Sequence, residues 1–241
     1  MMEGRYAAAL EASRTMIADM PAEFVRENAG FVDPFLALEI EVFLRFGRWE
    51  EILNVPEPPD YLPLCRAFRH FARGAALAAT GKVEAAQVEL AALEAAKAKL
   101  PDEAIWMNNK AKSVLAIGAK ALAGEIAARE NRVDEAIALL REAGRLEDAL
   151  IYDEPPDWMQ PTRHTLGAVL LRAGRAEEAE AVYREDLVRF PENGWSLWGL
   201  KRALEMRKAE KEAVEVGKRF KKAWKRADVK LDTTCFCLPN V

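Results

Sequence analysis

The stretch QPTRHTLGAVLLRAGRAEEAEAVYREDLVRFPEN, from Gln160 to Asn193, reads as two helices hinged at one glycine. Gly174 can take the left-handed conformation that stops a helix, and the next helix starts within a few residues. Ala179, five residues past the hinge, falls where the two helices cross, and a larger side chain would push them apart. Gly167 is the small residue on the first helix that lets the second pack closely, and Pro191 ends the second. The unit is a helical hairpin.

The hinge recurs along the chain. Gly or Asn, then Arg or Lys, then three residues and usually Ala, appears in GRYAAA from Gly4, GRWEEI from Gly47, GKVEAA from Gly81, NRVDEA from Asn131 and GRAEEA from Gly174. A weaker copy, KAEKEA, begins at Lys208. Gly47 to Gly81 and Gly174 to Lys208 each span 34 residues, and the other intervals are longer by 9 or 16. At Leu166, Gly167, Gly174, Ala179, Tyr183 and Pro191 the quoted unit resembles the tetratricopeptide repeat, which has the same period. It lacks the large residue usual where Arg163 sits. Gly74, Leu77, Gly81 and Ala86 match the repeat in part, as do Gly124, Asn131, Ala136 and Leu140. The stretch from Trp158 to Leu200 also looks like the C-terminal part of a group of bacterial tetratricopeptide proteins of ill-defined role.

The resemblance implies an all-α fold, a right-handed α-α superhelix of five to six helical hairpins, with residues 1–241 forming a single helical-repeat domain. A helix from Lys208 to Ala227, with Phe220 and Trp224 inward, is expected to cap it. Residues 228–241 then form a C-terminal tail. Gly4 holds a hinge position with no helix before it, so the chain is expected to begin inside a repeat. A complete, differently capped N-terminus is the other reading.

Composition agrees with helix: Ala, Leu, Glu, Arg and Lys dominate, and β-branched residues are sparse. The 35 basic and 39 acidic residues are dispersed, for a net charge of −4. A nucleic-acid groove needs clustered Lys and Arg. The one basic run, KRFKKAWKR from Lys218 to Arg226, reads as a solvated helix face. No apolar run approaches the ~20 residues that cross a bilayer, and the N-terminus lacks a secretory pattern. Cys65, Cys235 and Cys237 cannot make a disulfide framework. A cytoplasmic setting, with neither nucleic acid nor membrane as partner, is expected.

Three joints between hairpins look alike: EPPDYLP (Glu57–Pro63), LPDEAIW (Leu100–Trp106) and DEPPDWMQP (Asp153–Pro161). Their prolines stiffen an extended entry, and Asp60, Asp102 and Asp157 are natural N-caps or first-turn acids. Tyr61, Trp106 and Trp158 either belong to helix initiation or line the rim of a concave surface, where aromatic residues anchor a partner.

In a tetratricopeptide array the first helices of successive units line the inner groove. The register places Glu41 and Arg45 there, then Phe68, Phe71 and Ala75, then Glu125 and Arg129. His164, Ala168 and Arg172 follow, and Trp195, Trp198 and Arg202 complete the face. The resemblance implies a non-catalytic scaffold for a protein or peptide with apolar anchors and an acidic group, held by bidentate arginine contacts. No cofactor and no small-molecule ligand is expected. The alternative for Trp195 and Trp198 is packing against the C-terminal helix.

Catalysis has little to rest on. His70 and His164 fall in separate units, and no metalloprotease His pair, phosphate loop or nucleophile elbow is present. The tail DTTCFCLPNV offers the alternative function. Cys235 and Cys237 could hold a soft metal such as Cu(I) or Zn, with a third ligand such as Cys65 or His70. A disulfide between them is expected to be sterically unfavourable. In the other reading Phe236 and Leu238 tuck into the last hairpin and the cysteines follow as small apolar residues.

Overall fold

The computed structural model describes residues 1–238, so residues 239–241 of the expected tail lie outside the described residues. The helices are α1 Tyr6–Ala18, α2 Ala22–Glu27, α3 Ala29–Val32, α4 Leu38–Arg45, α5 Trp49–Asn54, α6 Pro63–Ala79 and α7 Val83–Lys99. They continue with α8 Ala111–Arg129, α9 Val133–Asp148, α10 Thr162–Arg172, α11 Ala176–Arg189, α12 Gly194–Met206 and α13 Glu210–Ala223. Each of α4, α6, α8, α10 and α12 forms a hairpin with the helix after it, and α6, α8, α10 and α12 pack side by side in chain order.

All the expected hinges take the left-handed conformation. Gly4, Gly47, Gly81, Asn131, Gly174 and Lys208 have φ of 71, 65, 81, 60, 74 and 60°. At five of them the next residue's N–H reaches back to a carbonyl in the preceding helix: Arg48 to Phe43, Lys82 to Leu77, Arg132 to Ala127, Arg175 to Leu170 and Ala209 to Leu204, at 2.8–2.9 Å. This bond satisfies a helix-end carbonyl and fixes where the next helix begins. The crossing residues Ile52, Ala86, Ala136 and Ala179 have no exposed surface. At Gly167 a Cβ would lie 2.2 Å from the Tyr183 ring, so the α10–α11 contact requires glycine.

The helix starts differ from expectation. Asp60, Asp102 and Asp157 cap nothing, because the N-cap positions fall further on, at Leu62, Lys110 and Pro161. Remote carboxylates cap instead. Asp33 accepts the Leu64 and Cys65 N–H groups of α6 at 2.7 and 2.9 Å. Glu147 accepts the Thr162 N–H of α10 at 2.9 Å. Asp228 accepts the Tyr6 and Ala7 N–H groups of α1 at 2.6 and 2.8 Å. Asp60 pairs with Arg66, and Asp102 with Lys112. The second joint also holds a short antiparallel pair, β1 Ile105–Trp106 and β2 Asn109–Lys110, which the sequence did not suggest.

The Asp228 cap brings the two ends of the chain together. The Asp228 N–H donates to the Gly4 carbonyl at 3.1 Å. Arg226 pairs with Glu3 at 2.7 Å. Trp224 follows α13 and packs edge-on to Trp195 at 5.5 Å, with Phe220 stacked on it at 5.7 Å. Among the described residues no helix is long and apolar enough to cross a membrane.

Candidate functional site

The inner faces of α4, α6, α8, α10 and α12 enclose an aromatic wall and a polar chain. The wall begins with Phe68 and Phe71 on α6. Trp106 packs against Phe68 at 5.6 Å, and Trp158 against Phe71 at 5.1 Å. Trp106 and Trp158 are buried, so of the rim expected from the three joints only Tyr61, 38% exposed, faces solvent. Asn109 explains the inward turn. It donates to the Asp157 carboxylate at 2.6 Å and to the Ile151 carbonyl at 2.9 Å, tying the third joint to the second. Outside this tie the third joint walls a cleft of about 560 Å³ with Tyr152, Glu154, Arg189 and Phe190.

The polar chain runs from α4 through α10 to α11. Arg45 Nη2 lies 2.9 Å from His164 Nδ1, and His164 Nε2 lies 3.0 Å from Asp186 Oδ2. A guanidinium can only donate, so Nδ1 accepts and Nε2 carries the proton given to Asp186. Ser196 Oγ and Asn193 Nδ2 also donate to Asp186 Oδ2, at 2.6 and 3.0 Å. His164 and Asp186 have no exposed surface. Burial, reinforced by Arg45, lowers the His164 pKa against the pull of Asp186, so the imidazole is neutral. Burial raises Asp186, but the interaction with His164 and the hydrogen bonds from His164, Ser196 and Asn193 outweigh it and hold the carboxylate below its ordinary range. Arg45 lies 3.7 Å from the Trp195 ring centroid and balances the Asp186 charge. His164 thus relays between the buried charges of Arg45 and Asp186.

Residues Thr233–Leu238 occupy the space these helices enclose. Thr234 Oγ1 donates to the His164 carbonyl at 2.8 Å and meets the Tyr183 hydroxyl at 2.7 Å. Phe236 lies edge-on to Trp195 at 5.7 Å. Its Cβ sits so close to Gly47 that a side chain there would approach it to 2.7 Å. Arg129 donates to the Cys237 carbonyl at 2.5 Å and to the Ala79 carbonyl at 2.8 Å. Leu238 has no exposed surface; burying a leucine contributes roughly 1.5–3 kcal/mol.

The remaining expected residues are spread out. Phe71, His164 and Trp195 are buried and Arg129 is half-buried on the inner face, while Arg172 is exposed at the end of α10. Trp198 and Arg202 are half-buried on α12, with the guanidinium 5.9 Å from the indole ring. Trp195 meets Trp224, just past the end of α13, and Phe236 of the tail.

Cys235 and Cys237 are buried and joined in a disulfide, with Cα atoms 5.1 Å apart. Neither suggested third ligand is beside them. Cys65 donates to the Asp33 carbonyl at 2.9 Å, and His70 bonds Glu89 at 2.7 Å. Glu125 on α8 stands there instead, with a carboxylate oxygen within 4.8 Å of both sulfurs.

No family model matches the chain, and no curated protein matches it. A solved structure of a kinesin light chain protein from Podosopora anserina, with nearly identical TPR-like repeats, is similar at 16% identity. The match covers 92% of this chain and 96% of that one, with a TM-score of 0.48. The assignment rests on the hinges and their spacing. The fold is a TPR-like α-α superhelix.

Sequence reasoning missed Asp186 and the seat of the tail, and it placed Glu125 on the inner face without bringing it to the sulfur pair. The two acids carried a signal. Asp186 continues the buried stripe Ala179, Val182, Tyr183 at helical spacing, and Glu125 sits in the buried run Gly124 to Ala127. A carboxylate in step with an apolar stripe is a buried carboxylate.

Proposed function

We propose that the chain is a non-catalytic scaffold whose enclosed face binds an extended peptide, and that its own tail holds that face as an internal ligand. What supports the reading is the seating of Thr233–Leu238: a backbone carbonyl on Arg129, a hydroxyl on the His164 carbonyl, and an apolar side chain in the interior. Backbone contacts with alternate side-chain pockets are how extended peptides are held. A partner segment would need a hydroxyl, a ring and an aliphatic residue at the spacing of Thr234, Phe236 and Leu238.

Phe71, Trp158, His164 and Trp195 would shape the floor, and Arg129 would hold the backbone. Tyr61, Arg172, Trp198 and Arg202 would be reached by longer partners, and Trp106 would support the wall from behind. The test is binding in trans. A chain ending at Asp228, verified as folded, is titrated with a labelled peptide of residues 229–241 and followed by fluorescence anisotropy. Saturable one-to-one binding, weakened by Arg129→Ala, is expected. A folded shortened chain that ignores the peptide contradicts the reading.

A further inference from the structure

We propose that Glu125, Cys235 and Cys237 form a redox-gated zinc site that fastens the tail to α8. The three ligand atoms lie within 4.8 Å of one another and all three residues are buried. Zinc held by two thiolates and a carboxylate needs sulfur–sulfur and sulfur–oxygen separations of roughly 3.5–4 Å, given bonds of about 2.0–2.3 Å in tetrahedral geometry. The observed spread is within a side-chain rotation of that requirement once the sulfurs part.

The second observation is independent of the cysteines. Glu125 is 3% exposed, and its Oε2 has no hydrogen-bond partner. A buried carboxylate oxygen with nothing to accept is costly. Here that carboxylate is directed at the sulfur pair, where a cation would satisfy it. The surroundings suit thiolates as well. Gln160 Nε2 lies 3.7 Å and the Cys237 N–H 3.3 Å from Cys235 Sγ, and Thr165 Oγ1 lies 3.9 Å from Cys237 Sγ. Groups of this kind orient and tune metal-bound sulfur.

Charge and donor type choose the ion. Two thiolates, one carboxylate and Zn²⁺ sum to one negative charge, and Arg129, one turn along α8, supplies the opposing positive charge. Cu(I) favours all-sulfur sites, whereas mixed sulfur and oxygen suits zinc. Three protein ligands leave one position for water.

The disulfide sets the gate. Reduction by a dithiol moves two electrons and two protons onto the sulfurs, breaks the S–S bond and leaves the dithiol as its own disulfide. Zn²⁺ binding then releases the two thiol protons, and any proton held by the buried Glu125 carboxyl, to solvent. Reoxidation by a small-molecule disulfide, which takes the two electrons and, with two protons from solvent, leaves as two thiols, re-forms the S–S bond, removes the sulfur ligands and releases Zn²⁺. Zinc bound there would link the tail to the wall that Arg129 already holds.

The test uses the full chain, reduced with a phosphine so that no added thiol competes for metal, and then dialysed against zinc. One zinc per reduced chain and none per oxidised chain is expected. Co²⁺ in place of zinc should give sulfur-to-metal charge-transfer absorption that disappears on oxidation. Glu125→Gln should weaken binding by about tenfold or more, and the Cys235→Ser/Cys237→Ser pair should abolish it, with circular dichroism confirming that each variant is folded. A reduced chain without stoichiometric zinc overturns the proposal. So does a folded Glu125→Gln chain with unchanged affinity and cobalt spectrum. If a variant unfolds, the reduced and oxidised parent chains decide by themselves.

Discussion

Asp186→Ala is expected to lower the unfolding free energy by about 3–5 kcal/mol, the usual result of removing one partner of a buried charged network. Asp186 Oδ2 is the common acceptor for His164, Ser196 and Asn193. Its removal leaves three buried donors unsatisfied and strands the Arg45 charge behind a neutral imidazole. Asn193 also caps α12 by accepting the Ser196 N–H at 2.8 Å, so the start of that helix loosens with it. For a chain of this size each kcal/mol moves Tm by roughly 2–4 °C, which gives a fall of about 6–20 °C. Asp186→Asn keeps one acceptor oxygen and the shape, and should lose less. Urea unfolding of the three chains measures the effect. A loss under about 1 kcal/mol for Asp186→Ala would mean that the relay is not formed.

Glu41→Gln is expected to flatten the pH dependence of stability between about pH 5 and pH 8. Burial, reinforced by Asp157, raises the Glu41 carboxyl from an ordinary 4.5 to about 8. Its Oε2 has no hydrogen-bond partner, so nothing local favours the charged form. Between those two values the folded chain holds a proton that the unfolded chain has lost. The stabilising contribution is complete below 4.5 and is lost as pH rises through about 8. One group costs about 1.4 kcal/mol per pH unit over that window, on the order of 4–5 kcal/mol in all. Glu147, raised chiefly by burial to about 7, and Asp157, raised chiefly by burial to about 6, act in the same direction. His164, lowered by burial, acts oppositely, losing stability as pH falls below its ordinary 6.5. These background terms cancel when parent and variant are compared. The difference between the two urea-unfolding profiles, measured at pH 5, 6, 7 and 8, should move in favour of Glu41→Gln as pH rises. Parallel profiles would mean that Glu41 is charged in the folded chain.

What could be read from sequence was what local chemistry decides. A residue at positive φ, the next N–H reaching back, and a small residue at the crossing are properties of six or so neighbouring residues. Gly47, Gly81, Asn131 and Gly174 declared themselves for that reason. The helix starts did not. Asp60 and Asp157 have the right identity near the right place, yet α6 and α10 are capped by Asp33 and Glu147, which only tertiary packing brings near. The inner face was legible as a set of positions and illegible as a surface. The register put Arg45, Phe71, Arg129, His164 and Trp195 on one face, and Arg45, His164 and Trp195 touch one another. It gave no sign that Trp106 and Trp158 would turn inward, because the Asn109 tie joins two separate loops. CFCL could be read as apolar, but its seat depends on the ends of the chain meeting through Asp228 and Gly4.

The central claim is that the tail is seated in the enclosed face. Amide hydrogen exchange over residues 231–238 of the full chain tests it most directly. The Leu238 N–H donates to the Cys235 carbonyl at 3.0 Å while its side chain is fully buried. With burial worth roughly 1.5–3 kcal/mol and a factor of ten for every 1.4 kcal/mol, exchange there should be slower than in a free peptide by at least about tenfold. Exchange across the segment at the free-peptide rate, in a chain whose helices remain protected, would show that the tail does not occupy the groove.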